Sequence, residues 1–509
     1  MDKKIKNAKI YIEICNFKIF SIIFMEKSIL NKKNNLKQEL YQKFGIQDLG
    51  IDDNDIMRSL MAWYPNKKFY QIKSAKSGKN IIALYSENTF MPVYSHDEWN
   101  SDDYISPYLN IDFSKSFFEQ FHELQKIAPV IALLSNMQEN AEFCQDSEGL
   151  KNCYTVFDSL NCRDVYYSVR IYNSNSCIDV YWVMDSELLY DCVYMFSCYN
   201  TKYSFHCKQV SDSCFLYDCR NTQNSFMCFG LRNQKYCVYN KQYTKLEYEN
   251  FINNIDFTNY EEMMKYKKYF LEEIISKNRQ NVNSLDNCED SEGAYIKNCS
   301  KVSKAYESFN LKDSYNVFQC GSGRDILHAF MCNDRVELCF QSSATGIDVY
   351  NTRNCVFTWH SSDMQYCYLC INCNNCFGCV GLKRKSYCIF NKQYTKEEYF
   401  EKRDQLIAHM KRTGEYDKFF PINLSPFKYE DTIAYDFFDL NKANTFYKEY
   451  ELLKNSGYEI NENSIQICQI SAKNFKFIEP ELKFYKKYKI PLPKIDFAMR
   501  YKQRMEIMY

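Results

Sequence analysis

The sequence predicts a mainly β protein with two tandem, β-solenoid-like modules of the right-handed β-helix type, joined and flanked by helices. The first observation is an internal repeat, because residues 228–249 return as residues 379–400, 151 positions later. The second is a rhythm of short aromatic and β-branched runs, separated by Asn, Asp and Ser, without a helical period. The third is the scarcity of glycine and proline, which the tight hairpins of a sandwich would need. Many short strands in one segment therefore favour stacked coils.

The repeat and the flanking composition divide the chain into consecutive parts. Each module opens near an Asp-Ser-Glu-Gly sequence and closes with Asn-Lys-Gln-Tyr-Thr. The predicted parts are a helical lead-in (1–56), short strands with an amphipathic helix (57–143), the first Cys/aromatic module (144–243), a helical connector (244–287), the second Cys/aromatic module (288–394), a second helical connector (395–463) and a tail unit (464–509).

Helix signals follow both modules. The threonine that ends each Asn-Lys-Gln-Tyr-Thr sequence is followed three residues later by glutamate, which is a capping box that starts a helix. We predict helices over 244–278 and about 395–412. A third, amphipathic helix is predicted within 114–137 and is interrupted at Pro129. Its apolar face is expected to consist of Phe117, Phe121, Leu124 and Ile127.

Composition argues against several classes of function. The 64 basic and 64 acidic residues balance, so no electrostatic attraction to nucleic acid or to an anionic membrane is expected. The most apolar run, residues 19–25, is too short to span a bilayer, and no small-residue cleavage site follows it. Walker A, dinucleotide-binding and Gly-x-Ser-x-Gly motifs are not found. We expect a non-catalytic protein of the cytoplasm or another reducing compartment, and export is not expected.

The cysteines raise the main chemical question, because five of them lie at every third position of one short stretch. They are Cys367, Cys370, Cys373, Cys376 and Cys379. Such spacing can supply the thiolates of a zinc site, can serve redox chemistry, or can place small side chains inside a stacked repeat. At the offset of 151, Cys367, Cys373 and Cys376 correspond to Leu216, Thr222 and Ser225 of the first module. A tetrahedral site does not survive such losses, so we predict structural packing, with zinc in the second module as the alternative.

Three features of the sequence carry a resemblance to a known family. The stretch "VYSHDEWNSDDYISPYLNIDFSKSFFEQFHELQ", the Cys/aromatic repeats and the "CFGL…YCVYNKQYT" closers resemble zinc-ribbon plus cysteine-repeat proteins of uncultured bacteria with reduced genomes. The resemblance spans about residues 57 to 500. It implies degenerate zinc-ribbon-like units in 57–143 and in the tail, and it implies no activity, because none is established for the family.

The resemblance also indicates where the ribbon ligands would lie. Ser74, Ser77, Ser95 and Glu98 occupy the positions of the first ribbon's cysteines, and in the tail Cys468 remains while Ser471 and Asp496 replace others. Serine binds zinc poorly at neutral pH, so both units are expected to lack metal and no cofactor is expected there.

These observations lead to one functional expectation and two alternatives. We expect a structural or interaction scaffold that presents an extended surface to a partner protein or assembly. The first alternative is a nucleic-acid- or ribosome-associated protein derived from zinc ribbons, which the neutral charge disfavours. The second is a carbohydrate-active β-helix enzyme, which would require acidic side chains clustered in a cleft. The sequence names neither the partner nor the oligomeric state.

Overall fold

A computed structural model describes residues 37–46, 48, 50–278, 311, 313–317, 323–331, 337, 342–343, 346, 348–438 and 465–508. The chain forms two compact units. Unit one lies within Leu133–Gln280 and Lys448–Tyr509 and contains the first module and the tail. Unit two lies within Met25–Ala132 and Asn281–Tyr447 and contains the second module. No helix of the described residues is long and apolar enough to cross a membrane.

Most of the regular structure is β, as the sequence predicts. The strands of the described residues are β1 (Tyr70–Lys73), β2 (Asn80–Ala83), β3 (Val93–Tyr94), β4 (Val130–Ile131), β5 (Ser135–Asn136), β6 (Glu139–Glu142), β7 (Gln145–Glu148), β8 (Lys151–Leu160), β9 (Arg163–Tyr172), β10 (Asn175–Ile178), β11 (Tyr181–Met184), β12 (Glu187–Tyr190), β13 (Val193–Phe196), β14 (Tyr199–Lys202), β15 (Phe205–Tyr217), β16 (Arg220–Phe229), β17 (Lys235–Val238), β18 (Lys241–Gln242), β19 (Tyr350–Arg353), β20 (Val356–Trp359), β21 (Ser362–Gln365), β22 (Tyr368–Ile371), β23 (Asn374–Phe377), β24 (Ser386–Ile389), β25 (Lys392–Gln393), β26 (Ile465–Ile467) and β27 (Asn474–Lys476).

The α-helices precede, separate and follow the two modules along the chain. The α-helices are α1 (37–44), α2 (Asp53–Met61), α3 (His96–Asn100), α4 (Phe117–Ile127), α5 (Lys245–Asn253), α6 (Tyr260–Tyr269), α7 (Ser276–Asn278), α8 (Lys396–Arg412), α9 (Ile433–Phe438), α10 (Glu479–Lys487) and α11 (Phe497–Met508). A π-helical turn, Phe270–Ile275, joins α6 to α7.

Two helix predictions need correction. The single helix expected over 244–278 is interrupted after α5. Asn254 ends α5, and the side chain of Asn259 caps the start of α6. These caps override the helical propensity of the segment as a whole. In α4, Phe117, Phe121 and Leu124 are buried as predicted, but Ile127 is 43% exposed because the last turn leaves the core. Helix α8 matches the prediction for the second connector.

Unit one is a parallel β structure with a constant register. Its parallel strands pair residues that lie 12 positions apart, for example Asn175 with Arg163 and with Glu187. The pairing runs β9–β10–β12–β14–β15–β13–β11 and returns to β9, which closes a seven-strand parallel barrel with extra strands at both ends. The 12-residue register recurs in the second module, where Tyr350 pairs with Ser362 and Val356 with Tyr368.

A three-residue backbone rhythm generates this register. From Met137 to Tyr239 every third residue has a positive φ, and from Cys144 to Leu231 each residue that follows such a corner is buried. Asn and Asp are the non-glycine residues that best tolerate this left-handed region. They occupy many of the corners, but aromatic residues such as Tyr167 and Trp182 occupy others, so the stacked backbone path imposes this conformation on several residue types. The sequence rhythm indicated turns correctly but not their period of three.

The residues that follow the positive-φ corners are called here the inward positions. In the first module they form one buried cluster of Cys, Val, Leu, Ile and Met, with Ser and Thr between them. The hydroxyl groups are satisfied within the stack. Ser159, for example, donates to the Phe157 carbonyl at 2.7 Å and accepts from the Ile171 amide at 3.0 Å. Small polar and thiol side chains can therefore be buried at little cost.

The repeated Asn-Lys-Gln-Tyr-Thr sequence ends each parallel stack. Asn391 accepts from the Val380 amide at 3.0 Å and donates to the Val380 carbonyl at 2.8 Å, so its side chain replaces the next strand. Asn240 makes the same two bonds to Phe229, both at 2.8 Å. The chain then turns back as the short antiparallel strands β18 and β25, followed by the capped helices. This motif is a structural cap that protects an exposed strand edge.

Candidate functional site

The five cysteines of the second module occupy consecutive inward positions. Cys367, Cys370, Cys373 and Cys376 supply the four inward side chains of one 12-residue step, and Cys379 lies 12 positions after Cys367. All five are at most 3% exposed. Each thiol contacts the carbonyl two residues before it and the carbonyl nine residues after it. The Cys367 Sγ, for example, lies 3.3 Å from the Gln365 oxygen and 3.5 Å from the Cys376 oxygen.

The surroundings of these thiols are rich in sulfur. The same buried cluster contains Cys355, Met364 and Cys388, with Leu382 as its one member that carries no sulfur. Burial raises the pKa of the Cys370 and Cys379 thiols well above the usual range, so both are protonated at neutral pH. At Cys367 burial also raises the pKa of the thiol, but hydrogen bonds from Cys355, Cys370 and Cys379 outweigh this effect and lower that pKa.

The corresponding positions of the first module show what this interior accepts. Thr222 donates to the Arg220 carbonyl at 3.2 Å and Ser225 donates to the Gln223 carbonyl at 3.0 Å. Cys373 contacts the equivalent carbonyl, that of Ile371, at 3.4 Å. The stack thus places a hydroxyl or a thiol against the same type of carbonyl. Across the part of the chain that the structure describes, no group of three or more His, Cys, Asp and Glu side chains is arranged to hold a metal ion.

Residues assigned to the first ribbon by resemblance do come together, in unit two. Hairpin β1–β2 presents Ser74, whose hydroxyl donates to the Glu98 carboxylate at 2.5 Å. Glu98 belongs to the capping box of α3 and also accepts from the Ser95 amide at 2.9 Å. Burial raises the pKa of Glu98, but hydrogen bonds from Ser74, Ser77 and Ser95 outweigh it and lower that pKa to about 2. We call these four residues the first serine–carboxylate cluster.

The tail repeats this arrangement in unit one. Hairpin β26–β27 presents Ser471, whose hydroxyl donates to the Asp496 carboxylate at 2.6 Å. The Ser471 amide lies 3.4 Å from the sulfur of buried Cys468, and the Met499 amide donates to Asp496 at 2.9 Å. These residues form the second serine–carboxylate cluster. In both clusters a carboxylate and a hydroxyl join residues that are far apart in sequence.

A buried ionic cluster in unit one was not predicted from the sequence. Arg504 of α11 contacts Asp179 at 3.1 Å and Asp191 at 3.5 Å, and Arg500 contacts Asp179 at 2.8 Å. Lys267 of α6 reaches Asp191 at 2.5 Å. Asp191 is desolvated, which raises the pKa of its carboxyl, yet Lys267 and Arg504 lower that pKa overall. These contacts dock the tail and the connector on the first module, and no sequence motif signals them.

The second module also carries a groove that sequence reasoning missed. It has a volume of about 660 Å³ and is lined by Glu337, Asp348, Val349, Tyr350, His360, Ser361, Ser362, Asn372, Cys373 and Asn374. His360 Nδ1 lies 3.9 Å from the Asp348 carboxylate, and Glu337 is 3.5 Å from Arg324. The one available signal was the sequence Tyr-Asn-Thr at 350–352, which also occurs at 199–201.

Comparison with known proteins assigns no family. No protein-family model and no curated protein matches this chain. Function must therefore be inferred from the residues themselves.

Proposed function

We propose that this chain is a non-catalytic scaffold built from two right-handed β-solenoids of four-sided, 12-residue coils, which presents an extended surface to a partner protein or assembly. The constant 12-residue register with three residues per side supports the coil assignment. Right-handedness follows the strong preference of parallel β crossovers. The serine–carboxylate clusters act in this proposal as metal-free, ribbon-like end units.

The observation that carries the proposal is the filled interior of each stack. The inward positions are occupied by small thiol, hydroxyl and aliphatic side chains that hydrogen bond to backbone carbonyls or pack against one another. Desolvation keeps Cys370 and Cys379 protonated, and a neutral, buried thiol is a poor nucleophile. Such a core supports the fold and leaves binding to the outer faces.

The first module offers one outer face suited to a partner. We call it the polar face, and its outward side chains lie 12 positions apart and are exposed or half-buried. They are Glu139, Lys151, Arg163, Asn175, Glu187, Tyr199, Ser211, Gln223 and Lys235. The face mixes both charge signs with amides, which is the composition of the polar rim of an interface, and Tyr199 and Arg163 are of the residue types enriched at interfaces.

Peptide-resolved thiol labelling tests the closed interior. We expect iodoacetamide to leave Cys367, Cys370 and Cys379 unmodified in the native protein and to modify them after unfolding in urea. Mass spectrometry of tryptic peptides gives the modified fraction at each position. Rapid native modification of Cys367, whose thiol pKa is lowered, would favour a reactive centre and contradict the scaffold proposal.

Site-specific photo-crosslinking tests the interaction surface. A crosslinker placed at Glu187 or Gln223 of the polar face should trap the same protein in the source cells. The control position is Leu246 of α5, which is 68% exposed and lies outside the polar face. Equal trapping from all three positions, or none from the polar face, would count against this face as the interface.

A further inference from the structure

Two exposed tyrosines occupy equivalent places in the two modules. Tyr199 is 47% exposed and Tyr350 is 46% exposed, and they lie 151 positions apart. Each begins a strand and is followed by Asn, Thr and a basic residue, and each pairs with a serine of the next parallel strand, Ser211 or Ser362. The repeat therefore presents the same large ring to solvent twice.

In the second module the tyrosine stands beside the groove described above. Next to Tyr350 the groove offers the hydroxyl of Ser362 and the amides of Asn372 and Asn374. Asn374 donates to Ser362, and along the neighbouring corner Asn351 donates to Asp363 at 2.8 Å. Amides and hydroxyls therefore follow one another from strand to strand, at the roughly 4.8 Å spacing of paired strands.

The charge of the groove narrows the class of ligand. Among the described residues that line it, the carboxylates are Glu337, 3.5 Å from Arg324, and Asp348, 3.9 Å from His360. None of the described residues that line it is Lys or Arg. A polyanion such as RNA would meet acidic groups without the phosphate-binding cations that such binding requires. A neutral, hydroxyl-rich ligand meets no such penalty.

We propose that this groove binds carbohydrate, namely a linear neutral glycan that lies across the strands of the second module. The apolar C–H face of a sugar ring packs on an exposed tyrosine ring, which supplies a large contact area at low cost in side-chain entropy. Hydroxyl groups of successive sugars then exchange hydrogen bonds with Asn372, Asn374 and Ser362, because the strand spacing is close to the length of one sugar unit.

This inference goes beyond the proposed protein scaffold and does not depend on it. A partner protein held by the polar face of the first module would leave the groove of the second module available. The photo-crosslinking experiment and the sugar-binding experiment can therefore fail separately.

Isothermal titration calorimetry of the full chain with cellohexaose, xylohexaose and chitohexaose tests the proposal. We expect at least one hexasaccharide to bind. Tyr350→Ala should weaken its binding about tenfold or more, which corresponds to about 1.4 kcal/mol, whereas Tyr350→Phe keeps the ring and should stay within about threefold. The matched control is Tyr239→Ala, since Tyr239 is also 46% exposed but lies outside the groove. Thermal melts establish that all variants remain folded.

Several results would overturn the proposal. They are a lack of binding to all three hexasaccharides, binding that Tyr350→Ala leaves unchanged, and equal loss in the Tyr239→Ala control. Tighter binding of a single-stranded RNA oligomer, with the same dependence on Tyr350, would assign the groove to nucleic acid instead.

Discussion

Replacing Cys373 and Cys376 by the Thr and Ser of the first module distinguishes packing from metal binding. In the native stack Cys373 contacts the Ile371 carbonyl at 3.4 Å and Cys376 contacts the Asn374 carbonyl at 3.5 Å. Hydroxyls at the equivalent first-module positions donate to equivalent carbonyls at 3.2 and 3.0 Å. The new hydroxyls therefore find acceptors already in place, and the side-chain volume changes little.

The expected cost follows from these contacts. Because no buried donor is left without an acceptor, each substitution should lower the free energy of unfolding by about 1 kcal/mol at most. Loss of two ligands from a structural zinc site would instead remove a contribution on the order of 10 kcal/mol. The two interpretations differ enough for a thermal melt to separate them.

The assay is a thermal melt of the double variant and of the parent, each with and without a chelator. The matched control is the reverse exchange in the first module, Thr222→Cys with Ser225→Cys, which should be equally mild. Chelator should leave all melting curves unchanged. Collapse of the second module on substitution, reproduced by chelator in the parent, would refute the packing interpretation.

Three further predictions concern the clusters and the cap. Glu98→Gln should flatten the dependence of the free energy of unfolding on pH in acid. The pKa of Glu98 is about 2 in the folded state and near 4.5 in the unfolded state. The native carboxylate therefore stabilises the fold above pH 4.5, and this stabilisation is lost as the pH falls toward 2. Asn391→Ala leaves the buried Val380 amide and carbonyl without their partner and should cost about 1–3 kcal/mol in urea unfolding. Arg504→Ala removes a partner of buried Asp179 and should cost about 3–5 kcal/mol in the same assay.

Each of these has a control and a contradicting outcome. Glu87→Gln alters a glutamate outside the first serine–carboxylate cluster, and an equal effect of both variants on the acid transition would remove the role given to the cluster. Asn240→Ala tests the same cap in the first module, and an unchanged urea midpoint in both cap variants would show that the cap is dispensable. Arg232→Ala breaks an exposed ion pair and should cost under about 1 kcal/mol, so equal losses in both arginine variants would contradict the burial argument.

Much of the local structure could be read from residue types alone. The capping boxes predicted the starts of α5 and α8, because a hydroxyl and a carboxylate three residues apart satisfy the free amides of a first turn. The internal repeat predicted that Cys373 and Thr222 occupy equivalent positions, since one backbone path imposes one pattern of burial. The prediction that both modules consist mainly of β-strands, which rested on their short aromatic and β-branched runs, is confirmed.

Other features depend on contacts between residues distant in sequence. The period of three was hidden because Asn and Asp at left-handed corners look like ordinary turn residues. The convergence of Ser74 with Glu98 was suggested only by resemblance, and the docking of Arg504 on Asp179 carried no local signal.

By itself the sequence determined that both modules are β-rich with frequent turns, which side chains are small enough to be buried, and where each stack ends, because these depend on the preferences of single residues and short motifs. The tertiary structure alone decided which charges meet and which polar groups line a groove. Those outcomes depend on the 12-residue register, which brings side chains 12 positions apart to within hydrogen-bonding distance, and on the packing of helices whose partners lie hundreds of residues away.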